Sequence, residues 1–415
     1  MVVLNPNESK SLSPTRARLA LLALAMGGFA IGSGEFVAMG LLPNLASDLM
    51  PDLYALSHEQ ANAQAGWLIS AYALGVIVGA PTIAAAGARL PRKKLLLWLL
   101  AAFVICTSGS AVLPSFDLVV LSRFVGALPH GAYFGIASLV AASLMEPGKR
   151  ARGVAVVLSG LTIANVVGVP LITWMGQLNG WRIAYLIVVG IFGLTFLAVA
   201  AFVPQQPGDD QATLGKELRA FGRIQVWLTL LIGAIGFGGL FAVYTYVAPL
   251  VTDVTRLSSA MVPWVLVVVG LGMTVGNFVG GHHADVNVKR SFYVFFGVLL
   301  FGLAGLTLTA HAVAGLFFFL FVIGGATSAL APTIQLRLMD VARDSQAIAA
   351  ALNHSALNAG NSLGALLGGV VIAAGLGYVA PTCVGFLLSA AGLALVVVSY
   401  RIERNSYSTP KMMPS

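Results

Sequence analysis

The sequence predicts an all-α integral membrane protein with twelve transmembrane helices in two six-helix halves. Three observations lead to this fold class. Of the 415 residues, 58% are hydrophobic and only 9% are charged, whereas soluble domains carry roughly 25% charged residues, so most of the surface must face lipid. Twelve apolar runs are each long enough to cross a hydrocarbon core of about 30 Å. Finally, the second half of the chain repeats the first.

The apolar runs are continuous rather than alternating, which indicates helices, because only helices and closed barrels satisfy every backbone polar group in lipid. They lie near residues 18–42, 62–86, 93–114, 118–143, 152–176, 182–204, 225–250, 260–282, 291–311, 313–337, 346–374 and 378–400. We therefore predict one six-helix half over residues 18–204 and a second over 225–400. A cytoplasmic linker is predicted over 205–224, with cytoplasmic tails over 1–17 and 401–415.

The loop charges predict the orientation, since Lys and Arg accumulate on the cytoplasmic side of a membrane protein. Nearly all of the 23 basic residues fall in the two tails and in the loops that follow even-numbered helices. Both termini are therefore predicted to be cytoplasmic, in a multi-pass protein of the cell inner (plasma) membrane. The same bias explains the net charge of +8, so a nucleic-acid partner is not needed.

An internal repeat relates the two halves. The segment WLISAYALGVIVG, from Trp67, matches WVLVVVGLGMTVG, from Trp264, and SGLTIANVVG, from Ser159, matches SALNAGNSLG, from Ser355. Each half has six helices, so the copies keep the same orientation in the membrane. This is the arrangement of transporters whose halves rock about a site near the bilayer midplane. A gene fusion without transport would leave the same repeat.

One acidic residue stands apart from the others. Of the 15 acids, only Glu35, in the stretch GSGEFVAMGLL, lies deep within a predicted helix. A carboxylate at that depth costs on the order of 2.5–3.5 kcal/mol on insertion scales and marks ion or proton pathways. Its counterpart in the second half falls near Phe241, so the acid does not serve symmetric packing. We predict that Glu35 carries protons; a permanently neutral Glu in a helix–helix hydrogen bond is the alternative.

Further polar and aromatic residues at membrane depth are candidates for a substrate cavity, because aromatic side chains in an apolar pocket suit an amphipathic or aromatic ligand. Steps of five and three residues spread Asn353, Asn358 and Asn361 over a wide arc, so we expect two of the three to reach the cavity. The full set of candidates is Phe36, Tyr72, Tyr133, Asn165, Tyr244, Tyr246, Asn353, His354, Asn358 and Asn361.

His130 is the second candidate for proton coupling. It follows Pro129 in a glycine-rich part of the fourth helix, and imidazole titrates in the physiological range. A histidine that only donates a packing hydrogen bond is the alternative.

Three stretches carry a resemblance to a known family: GEFVAMGLLPNLASDL from Gly34, RFVGALPHGAYFG from Arg123 and GLTIANVVGVPLIT from Gly160. The chain resembles the major facilitator superfamily. Within it, the chain is similar to the drug:proton antiporter branch with twelve helices that contains arabinose and sugar efflux proteins and chloramphenicol-resistance exporters. The resemblance covers essentially the whole chain. It implies a monomeric, proton-coupled exporter that needs no cofactor.

The resemblance also assigns roles to residues of two helices. In the fourth helix, Arg123 and Gly126 match a pattern thought to assist proton transfer, although an arginine near a helix end can instead snorkel to the interface. In the fifth helix, Gly160, Gly168 and Pro170 loosely match an antiporter motif that lets two helices approach closely. Small residues also pack ordinary membrane helices.

A loop resembles the cytoplasmic latch of the same family. It reads ARLPRKK after the second helix and GHHADVNVKR in the later copy. The first copy lacks the acid of the family pattern, because Ala88 occupies its position. The residues that match the pattern are Arg89, Arg92, Lys93, Gly281 and Asp285.

The sequence gives no support for a metal site or for catalysis. His282, His283 and Asp285 are close in the chain, but adjacent residues point about 100° apart on a helix and no further ligand is near. The motifs of zinc hydrolases, phosphate-binding loops and serine-hydrolase elbows are missing. We therefore predict no metal ion, no cofactor and no enzymatic activity.

The sequence favours a secondary active transporter that exports small organic molecules such as drugs or sugars in exchange for protons, by alternating access. The predicted partners are a small-molecule substrate, protons and the lipid bilayer. A proton-coupled importer of a small nutrient would use the same carboxylate. An intramembrane enzyme or a sensor is the alternative from another class; only Glu35 and His130 could be paired for catalysis at depth.

Overall fold

The computed structural model describes residues 13–87, 89–146, 150–208, 222–342 and 346–408, and within these ranges the chain is helical without β-strands. Twelve helices of the described chain are long and apolar enough to cross a membrane, which confirms the predicted fold class. We number them span 1 to span 12: Pro14–Gly40, His58–Ile83, Arg92–Val112, Phe116–Ser143, Arg152–Asn179, Trp181–Phe202, Ile224–Tyr244, Ser259–Val286, Val288–Thr309, Val313–Ala342, Leu352–Ala373 and Ala380–Arg404.

Much of the predicted linker and of both tails lies outside the described residues, at 209–221, 1–12 and 409–415. Span 6 ends next to the linker, and span 7 begins next to it. We call the ends of the spans on that side the linker face, and the ends on the other side the opposite face. Span 1 begins at the linker face, since successive spans alternate in direction.

Two short helices, Leu42–Leu49 and Pro51–Leu56, lie at the opposite face between spans 1 and 2, where the apolar runs left a gap. Each carries a proline in its first turn, where the fixed φ of proline suits a helix and its missing N–H is not needed. Span 5 is also less regular than its apolar run predicts, because a π-helical turn occupies Ala164–Gly168. Hydropathy carries no signal for either feature.

The repeat is visible in how the helices pack. Gly75 of span 2 lies so close to the backbone carbonyl of Phe124 in span 4 that a Cβ would not fit. Gly79, one turn further, is equally close to the backbone carbonyl of Leu128. In the second half, Gly272 of span 8 abuts Phe321 of span 10. Small residues of this kind let membrane helices approach closely. The same pair of helices is therefore held together in the same way in both halves.

The two halves meet along span 2 against span 11 and along span 5 against span 8. At the opposite face, Asn62 Nδ2 donates a hydrogen bond of 2.8 Å to the Tyr378 hydroxyl across this interface. Gln177 Nε2 in span 5 donates to the Ser259 carbonyl at the start of span 8, at 3.1 Å. These bonds join the two halves on this side.

Candidate functional site

Glu35 lies at the interface between the halves. The residue belongs to span 1 and is only 5% exposed. Its Oε1 accepts a hydrogen bond of 3.1 Å from Asn361 Nδ2, on span 11 of the other half. The acid that the sequence singled out is therefore buried and bonded across the interface, and its role in carrying protons stays a prediction.

His130 lies beside the same carboxylate. Span 4 is interrupted at Leu128, and the helix resumes with Pro129 in its first turn, which sets His130 at the start of the new segment. The His130 Nδ1 atom is 3.9 Å from Glu35 Oε2 and 3.2 Å from the Tyr72 hydroxyl. Glu35, His130 and Tyr72 were all predicted at membrane depth, and the fold brings them together from spans 1, 4 and 2.

Arg123 is buried inside the first half rather than snorkelling at a helix end. Its Nη1 donates to the Gly34 carbonyl at 2.8 Å, its Nη2 to the backbone carbonyl of Glu35 at 3.3 Å, and its Nε to the Leu68 carbonyl at 3.0 Å. The guanidinium carbon also lies 4.7 Å from the centre of the Tyr72 ring. Arg123 thus fixes spans 1 and 2 around Glu35, through the backbone of the acid.

Gly126, one turn after Arg123, lets span 4 approach span 3, because a Cβ there would lie 2.9 Å from the Cys106 Cβ. A cavity of about 20 Å³ lies in this region and is lined by Arg123, Tyr72 and Tyr185 among others. That space is sufficient for one water molecule. It offers the guanidinium of Arg123 a site for hydration.

An aromatic wall, formed by Phe36 and residues of span 7, lies at the interface next to Glu35. Phe36 stacks on Phe241 of span 7 with the ring centres 6.2 Å apart and the planes 14° apart, and it also contacts Tyr244. Phe237 extends the wall one turn further. Tyr244 is fully buried, and its hydroxyl has no hydrogen-bond partner in the described part of the chain. The predicted candidates Phe36 and Tyr244 therefore share one surface.

Span 11 presents a row of amides to the interface. Asn353, Asn358 and Asn361 are all at most 7% exposed, and Asn361 supplies the hydrogen bond to Glu35. Asn358 Nδ2 donates to the His354 carbonyl at 3.0 Å. The side-chain oxygens of all three lack partners among the described residues. The three asparagines point in widely different directions from span 11, yet all are buried, because span 11 packs against spans of both halves.

Asn165 and two tyrosines complete the predicted cavity set. Asn165 is buried in the π-helical turn of span 5, and its side-chain oxygen has no partner among the described residues. The Tyr133 hydroxyl donates to the Leu24 carbonyl at 2.9 Å, and the Tyr246 hydroxyl to the Ala365 carbonyl at 2.8 Å. Both tyrosines brace neighbouring helices, so their hydroxyls are not free to meet a ligand in this arrangement.

His354 is the residue whose importance the sequence did not reveal. The polar residues at depth included it, but no coupling role was assigned to it. Its ring stacks on Phe134 at 5.5 Å with the planes 5° apart and lies 6.3 Å from the His130 ring. The spacing of His354, Asn358 and Asn361 is a helical stripe of four and three residues, which is the signal that could have found it.

The glycine matches of span 5 lie against span 1. Gly160 abuts the Ala25 carbonyl without room for a Cβ, and a Cβ on Gly168 would lie 2.6 Å from the Ser33 Oγ. Pro170 starts the regular helix after the π-helical turn. The two glycines therefore permit close contact between these two spans.

The latch residues lie at the linker face. Lys93 Nζ donates to the Ala200 carbonyl near the end of span 6 at 2.7 Å, where a cation is favoured by the carbonyls of a helix C-terminus. Arg89 and Asp285 are exposed, Gly281 is half-buried, and a Cβ on Gly281 would meet nothing within 4 Å. The backbone N–H of Arg92 donates a hydrogen bond to the Gln206 carbonyl. Ala88 lies outside the described residues.

No cluster of three His, Cys, Asp or Glu side chains within the described ranges could hold a metal ion. His283 instead packs edge-on against Phe295 at 5.8 Å.

Two repeated halves of six spans, with a buried carboxylate and a row of amides between them, have the architecture of a membrane transporter. The chain belongs to the Major Facilitator Superfamily, whose sequence profile matches residues 24–285 and 230–413. The proteins of this family are transporters and not enzymes, which confirms the prediction that the chain is not an enzyme.

Individual relatives agree with this membership. The chain is 37% identical over 381 residues to the inner membrane transport protein YdhP of Escherichia coli strain K12, covering 92% of this chain and 96% of that protein. It is 32% identical over 387 residues to the chloramphenicol resistance protein of Streptomyces lividans, with 92% and 96% covered. The crystal structure of the D-xylose-proton symporter superposes with a TM-score of 0.69 at 17% identity, covering 90% of this chain and 97% of that one, which shows the fold alone.

Proposed function

We propose that the chain is a proton-coupled antiporter that exports small organic molecules by alternating access. One observation carries the proposal: Glu35 of the first half is bonded to Asn361 of the second half inside a buried interface. A carboxylate that takes part in the contact between two moving halves links its own protonation to their relative position.

The physical basis of this link is the strength of the bond. A hydrogen bond to an ionised carboxylate is roughly twice as strong as one between neutral groups. Protonation of Glu35 therefore weakens its interaction with Asn361, whereas loss of the proton strengthens it. A ligand shifts an equilibrium only by its differential affinity for the two states, and here the ligand is the proton.

In the proposed cycle, the two faces are exposed in turn. The basic residues of the loops and tails support placing the linker face and both termini in the cytoplasm of a cell bounded by the inner (plasma) membrane. Protons from outside load Glu35, and the protonated transporter returns to the inward-facing state. Substrate binding and deprotonation on the cytoplasmic side precede the outward swing.

Energetically, one proton is sufficient for useful export. One charge that moves across 100 mV releases roughly 2.3 kcal/mol. At about 1.4 kcal/mol for each tenfold, this sustains a gradient on the order of 40-fold for a neutral substrate. Arg123 supports the step by holding the backbone of Glu35, and His130 offers the carboxylate a neighbouring base.

The surroundings of Glu35 support a ligand with an apolar or aromatic face and hydrogen-bond donors. Phe36, Phe241 and Tyr244 supply flat apolar surface, and the free side-chain oxygens of Asn358 and Asn361 are acceptors. Drugs and sugars fit this description. The relative named for chloramphenicol resistance supports a small organic substrate, and we propose that a monomer carries it.

The experiment follows lumenal pH in inverted membrane vesicles. The vesicles are acidified inside by respiration and then challenged with chloramphenicol, arabinose and purine nucleosides. We expect at least one compound to raise the lumenal pH when the parent protein is present, because the compound enters as protons leave. Glu35→Gln should abolish the response. Asp52→Asn, which removes an exposed acid at the opposite face, is the matched control and should respond like the parent.

The same vesicles separate the alternatives. An importer would not raise lumenal pH when substrate is added outside inverted vesicles, but substrate loaded inside would leave together with protons. An equal response of Glu35→Gln and the parent would place the proton site elsewhere, with His130 as the next residue to change. If labelled compounds from the panel exchange across the membrane without any proton movement, the proton-coupling proposal is wrong.

A further inference from the structure

Two histidines from different halves face each other near Glu35. His130 belongs to span 4, and His354 to span 11, with 6.3 Å between the ring centres. His354 is held flat against Phe134, with 5° between the planes. Its backbone carbonyl accepts a hydrogen bond from Asn358 Nδ2. A histidine fixed on both its ring and its backbone keeps a defined position relative to His130.

The ionisable groups form a row directed toward the linker face. Glu35 Oε2 lies 3.9 Å from His130 Nδ1. His354 is seven residues before Asn361, the partner of Glu35, and so lies about 10 Å nearer the linker face along span 11. His130 is 2% exposed, whereas His354 is partly exposed. The last group in the row is therefore the more exposed of the two histidines.

We propose that His354 accepts the proton of Glu35 by way of His130 and passes it to water at the linker face. The proposal rests on the proposed function, in which Glu35 is the proton carrier, and adds the route by which the proton leaves. Because Glu35 and His130 belong to one half and His354 to the other, the route is assembled by the contact between the halves.

The transfer conserves atoms and charge. The O–H bond of protonated Glu35 breaks, and the proton binds Nδ1 of His130. The imidazolium then releases the proton on its other nitrogen to His354, directly after a small ring rotation or through one bridging water. His354 gives its extra proton to water, which leaves Glu35 ionised and both imidazoles neutral. His130 ends with its proton on Nδ1 instead of Nε2. One proton taken from water at Nε2 and one given to water from Nδ1 restore the starting tautomer with no net transfer.

Other ionisable groups close to this row do not offer a competing exit. Tyr72 and Tyr133 come from spans 2 and 4, and the Tyr133 hydroxyl is occupied by the Leu24 carbonyl. Arg123 contacts the backbone of Glu35 rather than either histidine. At the opposite face the halves are joined by Asn62 and Tyr378. The cavity of about 240 Å³ at the opposite face is lined by neither histidine, and the two histidines extend the row from Glu35 toward the linker face.

The test measures how fast Glu35 loses its proton, and needs no substrate. Purified protein in lipid nanodiscs is taken rapidly from acidic to alkaline buffer, while infrared absorption follows the C=O band of the protonated carboxyl. Glu35→Gln identifies that band by its loss. His354→Phe keeps a flat ring against Phe134 but has no nitrogen, and we expect it to slow deprotonation on the order of a hundredfold, as for loss of a positioned acid–base group. His311→Phe, at an exposed histidine of the opposite face, should leave the rate unchanged.

Chemical rescue distinguishes a relay from a packing role. Imidazole added to His354→Ala should restore much of the lost rate, because a free base replaces the missing one, while it should leave the parent unaffected. Deprotonation of His354→Phe at the parent rate would overturn the relay and leave the role of Glu35 intact. A slow His354→Ala that imidazole does not accelerate would also overturn it. Absence of the Glu35 band in the parent would instead overturn the proposed function.

Discussion

Tyr378→Phe is expected to open the opposite face of the transporter. The Tyr378 hydroxyl accepts a buried hydrogen bond of 2.8 Å from Asn62 Nδ2, and this bond joins the two halves. Burial raises the pKa of the Tyr378 phenol, so the hydroxyl stays protonated through the physiological range. The effect of the substitution should therefore be the same in mildly acidic and mildly alkaline buffer.

The magnitude follows from the partners of Asn62. Its side-chain oxygen already lacks a partner in the described chain, so loss of the hydroxyl leaves the amide nitrogen unpaired as well. A buried donor without a partner costs about 1–3 kcal/mol. The cost falls on the closed arrangement alone, because separation of the halves exposes Asn62 to water. The ratio of closed to open molecules should fall roughly 5- to 150-fold.

Cysteine accessibility measures this ratio. Ser70→Cys is introduced at a buried position of the interface in a chain whose two native cysteines are replaced, and the initial rate of labelling by a membrane-impermeant maleimide is recorded. When opening and closing are fast, labelling follows the open population. Tyr378→Phe should therefore raise the rate by the factor above, whereas Tyr54→Phe, at the same face, should not. Labelling of Tyr378→Phe at the parent rate would refute the idea that this bond holds the closed state.

Two further predictions concern the packing of each half. Gly276→Val should lower the thermal unfolding midpoint, because Gly276 lies against the Gly325 carbonyl with no room for a Cβ and overpacking costs about 1–3 kcal/mol. The control Gly281→Val, in open space on the same helix, should unfold near the parent temperature. Equal losses in the two variants would contradict the packing explanation. Arg123→Lys should also lower the midpoint, because one ammonium group cannot reach three fixed carbonyls as the guanidinium fork does. The control is Arg290→Lys, at an exposed arginine. An unchanged midpoint for Arg123→Lys would show that the three bonds contribute nothing to stability.

Much of the fold was predictable because its determinants are local. Each span is an apolar run long enough to cross the membrane, and the twelve predicted runs all became helices. The matches between the halves, such as Gly75 with Gly272, were visible as sequence identity and returned as equivalent contacts. Glu35 could be singled out because an acid in an apolar run is conspicuous. The π-helical turn at Ala164–Gly168 could not, because its residues are as apolar as those of a regular helix.

The partners of the site residues were less predictable. Arg123 sits near the start of an apolar run, and hydropathy alone allowed it to reach the membrane surface or to turn inward. Its burial depends on three carbonyls of spans 1 and 2. Tyr133 and Tyr246 matched the cavity pattern as well as Tyr244 did, yet their hydroxyls bond backbone carbonyls. Which side of a membrane helix faces its neighbours is not encoded by the composition of that helix.

The sequence by itself determined that this chain crosses a membrane twelve times, that its halves are copies, and that one carboxylate is placed at depth. These features depend on hydrophobicity, charge and identity, which are properties of residues in their order along the chain. The tertiary structure decided that Glu35 meets Asn361 and that His130 meets His354. Those contacts join residues separated by hundreds of positions, and they depend on how each helix is rotated and how closely glycines let it approach the others, which only the packed assembly fixes.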